Sequence, residues 1–149
     1  ITIRNNVIEH VGFSGSYGLQ PDSAAIQVKG NKLGFELAAW RGQRDIVIEG
    51  NTIRDWPRNA IYLGSAEGVA LRSNRLQTVN RRPDIPAESA VGVLIENCAH
   101  VVIDGLDLSE PRAIQAVVRI DGASDIESIT VDGLTGSVPD GVPRVMSER

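Results

Sequence analysis

The segment Ile46-Val-Ile-Glu-Gly-Asn-Thr-Ile53 carries a pattern that returns at Val69-Ala-Leu-Arg-Ser-Asn-Arg-Leu76. In both copies apolar residues occupy the first, third and eighth positions, a Gly or Ser is fifth, and an Asn is sixth. The alternation at the start predicts a β-strand, because successive strand side chains point to opposite faces of a sheet. The small fifth residue predicts a sharp bend. The repeated segment therefore predicts a strand, a bend and a second short strand.

Three further segments fit this eight-residue template. Residues 1–8 have the same apolar and Asn positions, residues 101–108 have Leu106 in place of the Asn, and residues 129–134 follow the pattern until the chain leaves it at Gly136. One such unit cannot bury its apolar face alone, so like units must stack on one another. Stacking in one chain direction predicts parallel sheets.

Another strand follows the template in four of the units, with two apolar residues on one face. These strands are Ile26-Gln27-Val28, Ile61-Tyr62-Leu63, Val93-Leu94-Ile95 and Val118-Arg119-Ile120. The sequence thus predicts an all-β solenoid of about five coils over residues 1–136. Residues 137–149 show no repeat and are predicted to form a C-terminal tail or cap.

The Asn at the sixth template position has a physical role and a family resemblance. A buried amide offers two donors and an acceptor, so stacked Asn side chains can bond to each other and to the bend backbone. Asn6, Asn51 and Asn74 resemble the asparagine ladder of the right-handed, single-stranded parallel β-helices of the pectin-lyase-like superfamily. The resemblance covers residues 1–136. It implies a carbohydrate-active protein, since the superfamily includes polysaccharide lyases, glycoside hydrolases, epimerases, esterases and phage tailspikes.

The composition excludes several other classes of protein. A net charge of −4 and a pI of about 5.1 give no support to nucleic-acid or anionic-membrane binding. Cys98 is the one cysteine of the chain, so there is no disulfide framework, and a buried inert thiol is expected. No metal-binding motif or phosphate loop occurs, and neither a metal nor a cofactor is expected.

The beginning of the chain leads to an expectation about association. Ile1 lies directly in a strand of the repeat, with no capping segment before it. An open end of a β-solenoid exposes apolar surface and unpaired strand edges. We therefore expect a partial domain that self-associates through its N-terminal end. No signal peptide is visible, and the extracellular or periplasmic location expected here follows from the carbohydrate function that the resemblance implies.

Two long insertions predict a groove on one flank. Residues 10–21 and 80–89 occur at the same step of units one and three, while unit two has only the short turn 55–59. Aromatic rings suit the apolar faces of sugars, and arginines suit a carboxylate. The predicted substrate-binding residues, for an acidic polysaccharide, are Trp56, Arg58, Tyr62, Arg81 and Arg82. The alternative is that Trp56 is a packing residue and the arginines are solvated.

Two sets of side chains are candidates for acid–base catalysis. His10, Asp55 and Glu88 lie within reach of the predicted groove. Glu96 and Asp121 fall on neighbouring strands, which is the carboxylate spacing of retaining glycosidases. The alternative for Glu96 and Asp121 is ordinary surface charge, with Asp121 before Gly122 in a turn.

An insertion at 30–44 separates the first unit from the second. It contains Phe35, Leu37 and Trp40, and we expect it to cover the small apolar row formed by Val47, Ala70 and Val102.

Two functional hypotheses follow from these patterns. The first is a carbohydrate-active β-helix protein that binds and cleaves a polysaccharide, as a glycoside hydrolase or a polysaccharide lyase. The second is a non-catalytic β-helical stalk or adhesion module that binds a glycan or a protein.

Overall fold

The computed structural model describes residues 1–12, 16–30, 37–56, 58–80 and 82–148. Its strands are β1 (Thr2–Arg4), β2 (Val7–Glu9), β3 (Ala24–Lys29), β4 (Gln43–Glu49), β5 (Thr52–Arg54), β6 (Asn59–Gly64), β7 (Ala66–Gln77), β8 (Val91–Glu96), β9 (Ala99–Ser109), β10 (Ala116–Ile120), β11 (Thr130–Ser137) and β12 (Val145–Ser147). The 3-10 helices are η1 (Tyr17–Leu19), η2 (Ala87–Ser89) and η3 (Ile126–Ser128). Within the described ranges, no helix has the length and apolar character to cross a membrane.

The strands form two sheets in which the pairing is parallel. In sheet A, strands β1, β4, β7, β9 and β11 pair in that order, and β5 and β2 continue from the second half of β7. In sheet B the order is β3, β6, β8, β10 and β12. The prediction of an all-β chain with parallel sheets is confirmed.

The pairing register is the register that the template predicts. Ile46 pairs with Val69 and Val69 pairs with Val101, so first template positions lie side by side. In sheet B, Val93 pairs with both Ile61 and Val118. Corresponding residues of successive units therefore stack on one another, and each apolar position extends into a row.

The bend at the fifth template position has left-handed backbone in every unit. The φ angles there are 54° at Asn5, 62° at Gly50, 49° at Ser73, 73° at Gly105 and 64° at Gly133. A Cβ disfavours this conformation, so Gly and short polar residues are the expected occupants. We call this position the first bend. The second bend follows the eighth template position, and the third follows each strand of sheet B.

The hydrogen bonds predicted for the asparagine row are present at the first bend. Asn74 Oδ1 accepts from Asn51 Nδ2 at 3.0 Å and from Asn51 N at 3.1 Å. Asn51 Oδ1 accepts in the same way from Asn6 Nδ2 at 2.9 Å. Asn51 is fully buried, and its amide also donates to Ile3 O at 3.0 Å. The amides thus satisfy backbone groups that the bend would otherwise leave without partners.

The core lies between the inward rows of the two sheets. It includes Ile48, Leu71 and Ile103 from sheet A and Leu63 and Ile95 from sheet B, all with at most 1% exposure. Burying each such side chain contributes about 1.5–3 kcal/mol. At the outer edge formed by β1 and β2, Ile1 and Val7 are exposed, whereas Ile3 and Ile8 are half-buried against the core.

Two expectations about the chain outside the template were wrong. The segment 137–149 was expected to hold no repeat, yet it contains β12, in which Val145 pairs with Val118 and Ser147 with Ile120. The strand was missed because Ser147 replaces an apolar residue. Among its described residues, the insertion leaves Val102 43% exposed; Leu37 packs instead against Tyr62 and Leu94 on the outer face of sheet B. Phe35 lies outside the described residues.

Candidate functional site

The second bend brings two of the predicted acid–base residues together. Glu9 of β2 pairs with Arg54 of β5, so the residues that follow, His10 and Asp55, are neighbours across the sheet. Both have left-handed backbone, with φ of 55°. His10 Nε2 lies 3.1 Å from Asp55 Oδ2. The His10 side chain is 56% exposed, whereas that of Asp55 is 5% exposed, so a solvent-facing imidazole is held by a buried carboxylate.

Asp55 is surrounded by hydrogen-bond donors from the next unit. Its carboxylate accepts from Val79 N at 2.7 Å, Asn80 N at 2.8 Å and Asn80 Nδ2 at 2.9 Å. Burial by itself raises the pKa of this carboxyl, but the bonds from Asn80 and Val79 and the proximity of His10 outweigh burial and lower the pKa overall. Asp55 is therefore a stable anion, suited to orienting His10 and unsuited to donating a proton.

The His10–Asp55 pair has the geometry of an oriented general base. When neutral imidazole carries its hydrogen on Nε2 toward the carboxylate, Nδ1 becomes the basic nitrogen. A carboxylate partner keeps the ring in one orientation and stabilises the imidazolium that forms after proton transfer. Glu88, the third residue predicted for this set, is exposed in η2 and is not part of the pair.

The two long loops are joined by a hydrogen bond between their described residues. Arg82 Nη1 donates to Gly12 O at 2.7 Å, which joins the loop of unit three to the loop of unit one. Arg82 also forms a two-point bond with Asp84, with distances of 2.8 and 2.9 Å. The side chain is 11% exposed. The expectation that Arg82 faces a substrate carboxylate was wrong, because its donors already hold the loops. Arg81 lies outside the described residues.

Trp56 does not form the floor of a groove. Its side chain is 1% exposed and belongs to the core. The Arg112 guanidinium lies 5.6 Å from the centroid of the ring, and Arg112 Nη2 donates to Trp56 O at 3.1 Å. A sugar cannot stack on a buried ring, so the packing alternative is the correct one for Trp56. Arg58 is half-buried, and its Nε has no hydrogen-bond partner in the described part of the chain.

A buried ion pair supports the same bend and was missed in the sequence. Arg112 Nε donates to Glu110 Oε1 at 2.8 Å and Arg112 Nη2 to Glu110 Oε2 at 2.7 Å, with both residues buried. Thr78 Oγ1 donates to Glu110 Oε2 at 2.7 Å. The only sequence signal is an acidic and a basic residue flanking Pro111 at the second-bend step of the fourth unit. The contacts to Thr78 and Trp56 make this pair a support for the second bend.

Tyr62 was expected on the groove floor and is also buried. Its side chain is 1% exposed, beneath Leu37, and its hydroxyl donates to Glu96 Oε2 at 2.7 Å. Burial, together with the bond to Glu96, raises the pKa of Tyr62 well above its ordinary value. The phenol therefore acts as a neutral donor that anchors Glu96.

Glu96 and Asp121 follow paired residues, Ile95 and Ile120, but each carboxylate has a structural partner. Glu96 accepts from Tyr62, as described above. Asp121 Oδ1 accepts from Asn97 N at 3.0 Å and from Ser124 Oγ at 2.7 Å, which closes the turn after β10. These bonds agree with the non-catalytic interpretation of the two carboxylates, in which Asp121 lies in a turn.

A groove of about 360 Å³ runs along the first bend. Its residues are Gly50, Asn51, Thr52, Ser73, Asn74, Arg75, Gly105, Asp107, Gly133 and Thr135. Arg75 Nε lies 3.1 Å from Asp107 Oδ2, so these two charges offset each other. The groove follows from the small residues that the left-handed bend requires. Three residues of β5 connect it to the His10–Asp55 bend.

No group of three or more His, Cys, Asp or Glu side chains in the described ranges is arranged to hold a metal ion. Cys98 is buried, and burial raises the pKa of its thiol to about 11. Comparisons with protein-family models, with curated proteins and with solved structures found no match to this chain.

Proposed function

We propose that this all-β chain is a right-handed, single-stranded parallel β-helix of the pectin-lyase-like class. Three observations support the proposal. The paired strands are parallel and in the register of the repeat, the fifth template position is left-handed in every unit, and the Asn side chains bond along the stack. The fold by itself does not define an activity.

We further propose that the chain binds and cleaves an acidic polysaccharide at the second bend. The observation that supports this site is the exposed His10 imidazole at 3.1 Å from the buried Asp55 carboxylate. Arg54 lies next to Asp55 on an exposed strand position, where its Nη1 bonds to Glu9 Oε1. Arg58 follows on the same turn, and its Nε has no hydrogen-bond partner in the described part of the chain, so its guanidinium is the one suited to neutralising a sugar carboxylate.

Of the two cleavage chemistries, elimination fits this set of residues better than hydrolysis. Glycoside hydrolysis needs a protonated carboxyl as general acid, and the lowered pKa of Asp55 opposes that role. Elimination needs a base that removes the proton α to the uronate carboxylate, after which the glycosidic oxygen leaves and a carbon–carbon double bond forms. His10 would accept that proton, and an arginine would stabilise the negative charge that develops on the carboxylate.

The test is a cleavage assay on polygalacturonate, alginate and hyaluronate. Elimination yields unsaturated products that absorb in the ultraviolet, whereas hydrolysis yields new reducing ends without that absorbance. We expect ultraviolet-absorbing products from the wild type and a loss of roughly 10²–10⁴-fold in His10→Ala, because general acid–base catalysis is of that size. His100→Ala is the matched control, since His100 is an exposed histidine that also has left-handed backbone, at the start of β9. Absence of both product types would refute cleavage.

A non-catalytic stalk or adhesion module is the second candidate. It is favoured by the many structural bonds of the predicted carboxylates, since Asp55 also joins Val79 and Asn80 and Asp121 closes a turn. This candidate predicts glycan binding without any product. For either function we propose an extracellular or periplasmic location, a polysaccharide as partner, and self-association through the β1–β2 edge.

A further inference from the structure

Trp40 is an exposed aromatic residue that neither candidate function uses. It lies in the described segment 37–42, between β3 and β4, and is 67% exposed. The other tryptophan of the chain, Trp56, is 1% exposed. A tryptophan with most of its surface in water is unusual, because burying that ring would contribute several times the free energy of burying a small side chain.

The position of the Trp40 ring depends on Gly42. A Cβ at residue 42 would lie 1.6 Å from Trp40 Cζ3 and 2.3 Å from Cη2. Gly42 does not have the left-handed backbone that requires a glycine elsewhere in this chain. The glycine allows the indole to lie directly against the backbone, and a Cβ there would displace the exposed ring. Gly42 N also donates to Trp40 O at 3.2 Å, which closes a tight turn under the ring.

The segment that carries Trp40 is bonded to the third bends of several units. Arg41 donates from Nε to Asn97 O at 3.2 Å and from Nη2 to Ala123 O at 3.3 Å. Asn97 Nδ2 and Ser65 Oγ both donate to Ala38 O, at 2.8 and 2.5 Å. The exposed ring is thus attached to a backbone that is hydrogen-bonded on both sides. Ligand binding would therefore cost little additional conformational entropy.

We propose that Trp40 is a stacking platform for a pyranose ring, and that it forms a second glycan-binding site remote from His10–Asp55. The C–H face of a sugar packs on an indole face, and its hydroxyls bond to polar groups nearby. Arg41 and Arg44 follow Trp40 in the chain; Arg41 already donates to two carbonyls, and Arg44 Nη2 lies 3.2 Å from Glu67 Oε2. The second bend, with His10 and Asp55, and the third bend, to which the Trp40 segment is bonded, are separated by a strand such as β6. That strand has six residues and a length of about 20 Å. The choice of a glycan as the ligand rests on the proposed function, which is polysaccharide binding.

A glycan fits this surface better than a protein partner does. A stable protein contact buries about 800 Å² on each side around an apolar centre. Among the described residues of this segment, Trp40 is the one exposed large apolar side chain, and it is followed in sequence by polar residues, namely Arg41, Gln43, Arg44 and Asp45. A ligand with one small apolar face and many hydroxyls matches a single exposed ring with polar surroundings.

The test uses Trp40 as its own reporter. Wild type and variants are titrated with oligogalacturonate and with cellohexaose, and tryptophan fluorescence and calorimetric affinity are recorded. Trp56 is buried, so a ligand-induced change in emission is expected to come from Trp40 and to vanish in Trp40→Ala. We expect an affinity loss of at least fivefold in Trp40→Ala, a smaller loss in Trp40→Phe, and a loss in Gly42→Ala, where the new Cβ displaces the ring. Unfolding midpoints should stay close to wild type in both Trp40 variants.

The outcomes separate this inference from the proposed function. If the wild type binds a glycan and Trp40→Ala binds it equally well, the stacking site is refuted while the proposed function stands. If the wild type binds neither probe nor any polysaccharide of the cleavage assay, both are refuted. If Trp40→Ala leaves glycan binding intact but abolishes self-association in light scattering, Trp40 is a protein contact and the inference is overturned.

Discussion

Tyr62 Oη donates a 2.7 Å hydrogen bond to Glu96 Oε2, and the residue over which the ring extends is Gly64. Gly64 pairs with Glu96 in sheet B, so Tyr62 reaches a carboxylate on the next strand, two residues further along the register. A Cβ at residue 64 would lie 2.7 Å from Tyr62 Oη and 2.8 Å from Leu37 Cδ2. One missing side chain therefore allows a buried tyrosine, its carboxylate partner and the covering insertion to fit together.

Gly64→Ala should destabilise the protein by about 1–3 kcal/mol, because overpacking at a buried site forces neighbours out of their preferred positions. The measurement is the midpoint of urea-induced unfolding, compared between variants whose dependence of unfolding free energy on urea concentration is the same. Gly122→Ala is the control, since its new Cβ would meet Glu148 O at 3.4 Å, an ordinary contact, and the site is exposed. Equal midpoints for the two variants would contradict the packing described for Tyr62.

Asn51→Leu should cost on the order of 1–3 kcal/mol, because it removes an acceptor from Asn6 and a donor from both Asn74 and Ile3 in a buried place. Leu106 occupies the equivalent position two strands away, which shows that the site accepts an apolar side chain of this size. The cost therefore arises from unsatisfied polar groups and not from shape.

Asn6→Leu provides the comparison for Asn51→Leu. Asn6 is exposed at the end of the row, so water can replace its lost bonds, and we expect a smaller change in the unfolding midpoint. An unchanged midpoint in Asn51→Leu would mean that the buried amides do not stabilise the bend.

The stability of the protein should decrease on acidification through Asp55. Its pKa is lowered in the folded state, so folded protein holds this proton less tightly than unfolded protein does. Its contribution to the free energy of unfolding is present above the ordinary value of 3.8 and is lost as pH falls through and below that value. Unfolding free energies measured from about pH 5 down to about pH 2, a window that extends below the ordinary value, should show a shallower pH slope in Asp55→Asn than in the wild type.

Asp132→Asn is the control for the acid experiment, because Asp132 is exposed on β11. Each variant removes one carboxylate, and Asp55→Asn should flatten the pH slope more than Asp132→Asn does. If Asp55→Asn keeps the wild-type slope as well, the bonds from Val79 and Asn80 do not stabilise the anion, and the orienting role of Asp55 toward His10 loses its basis.

Local chemistry made the strand register and the bends predictable. The spacing of Ile46, Ile48 and Ile53 defines one inward face, and shifting the strand by one residue would expose that face to water. The fifth position of each template segment is Gly, Ser or Asn, the residue types that tolerate left-handed backbone. Each of these constraints acts within eight consecutive residues, so the amino-acid order alone was enough.

The candidate site was only partly predictable. His10 and Asp55 were proposed, with Glu88, as residues within reach of the predicted groove, and the sheet register then places His10 and Asp55 side by side. Trp56 was misplaced because a turn tryptophan beside a proline can face either way, and the deciding contacts come from Arg112, 56 residues away. Arg82 was misplaced because its partner, Gly12 O, belongs to a loop 70 residues away.

The amino-acid sequence by itself determined the all-β class, the parallel register and the asparagine row, because strand alternation, bend conformation and stacking of like units follow from short-range sterics and burial. Only the tertiary structure decided which aromatic residues are accessible. Tyr62 is at an outward strand position but is covered by Leu37 from the insertion, while Trp40 of that insertion remains in solvent. Accessibility depends on how distant segments cover one another, and no local pattern contains that information.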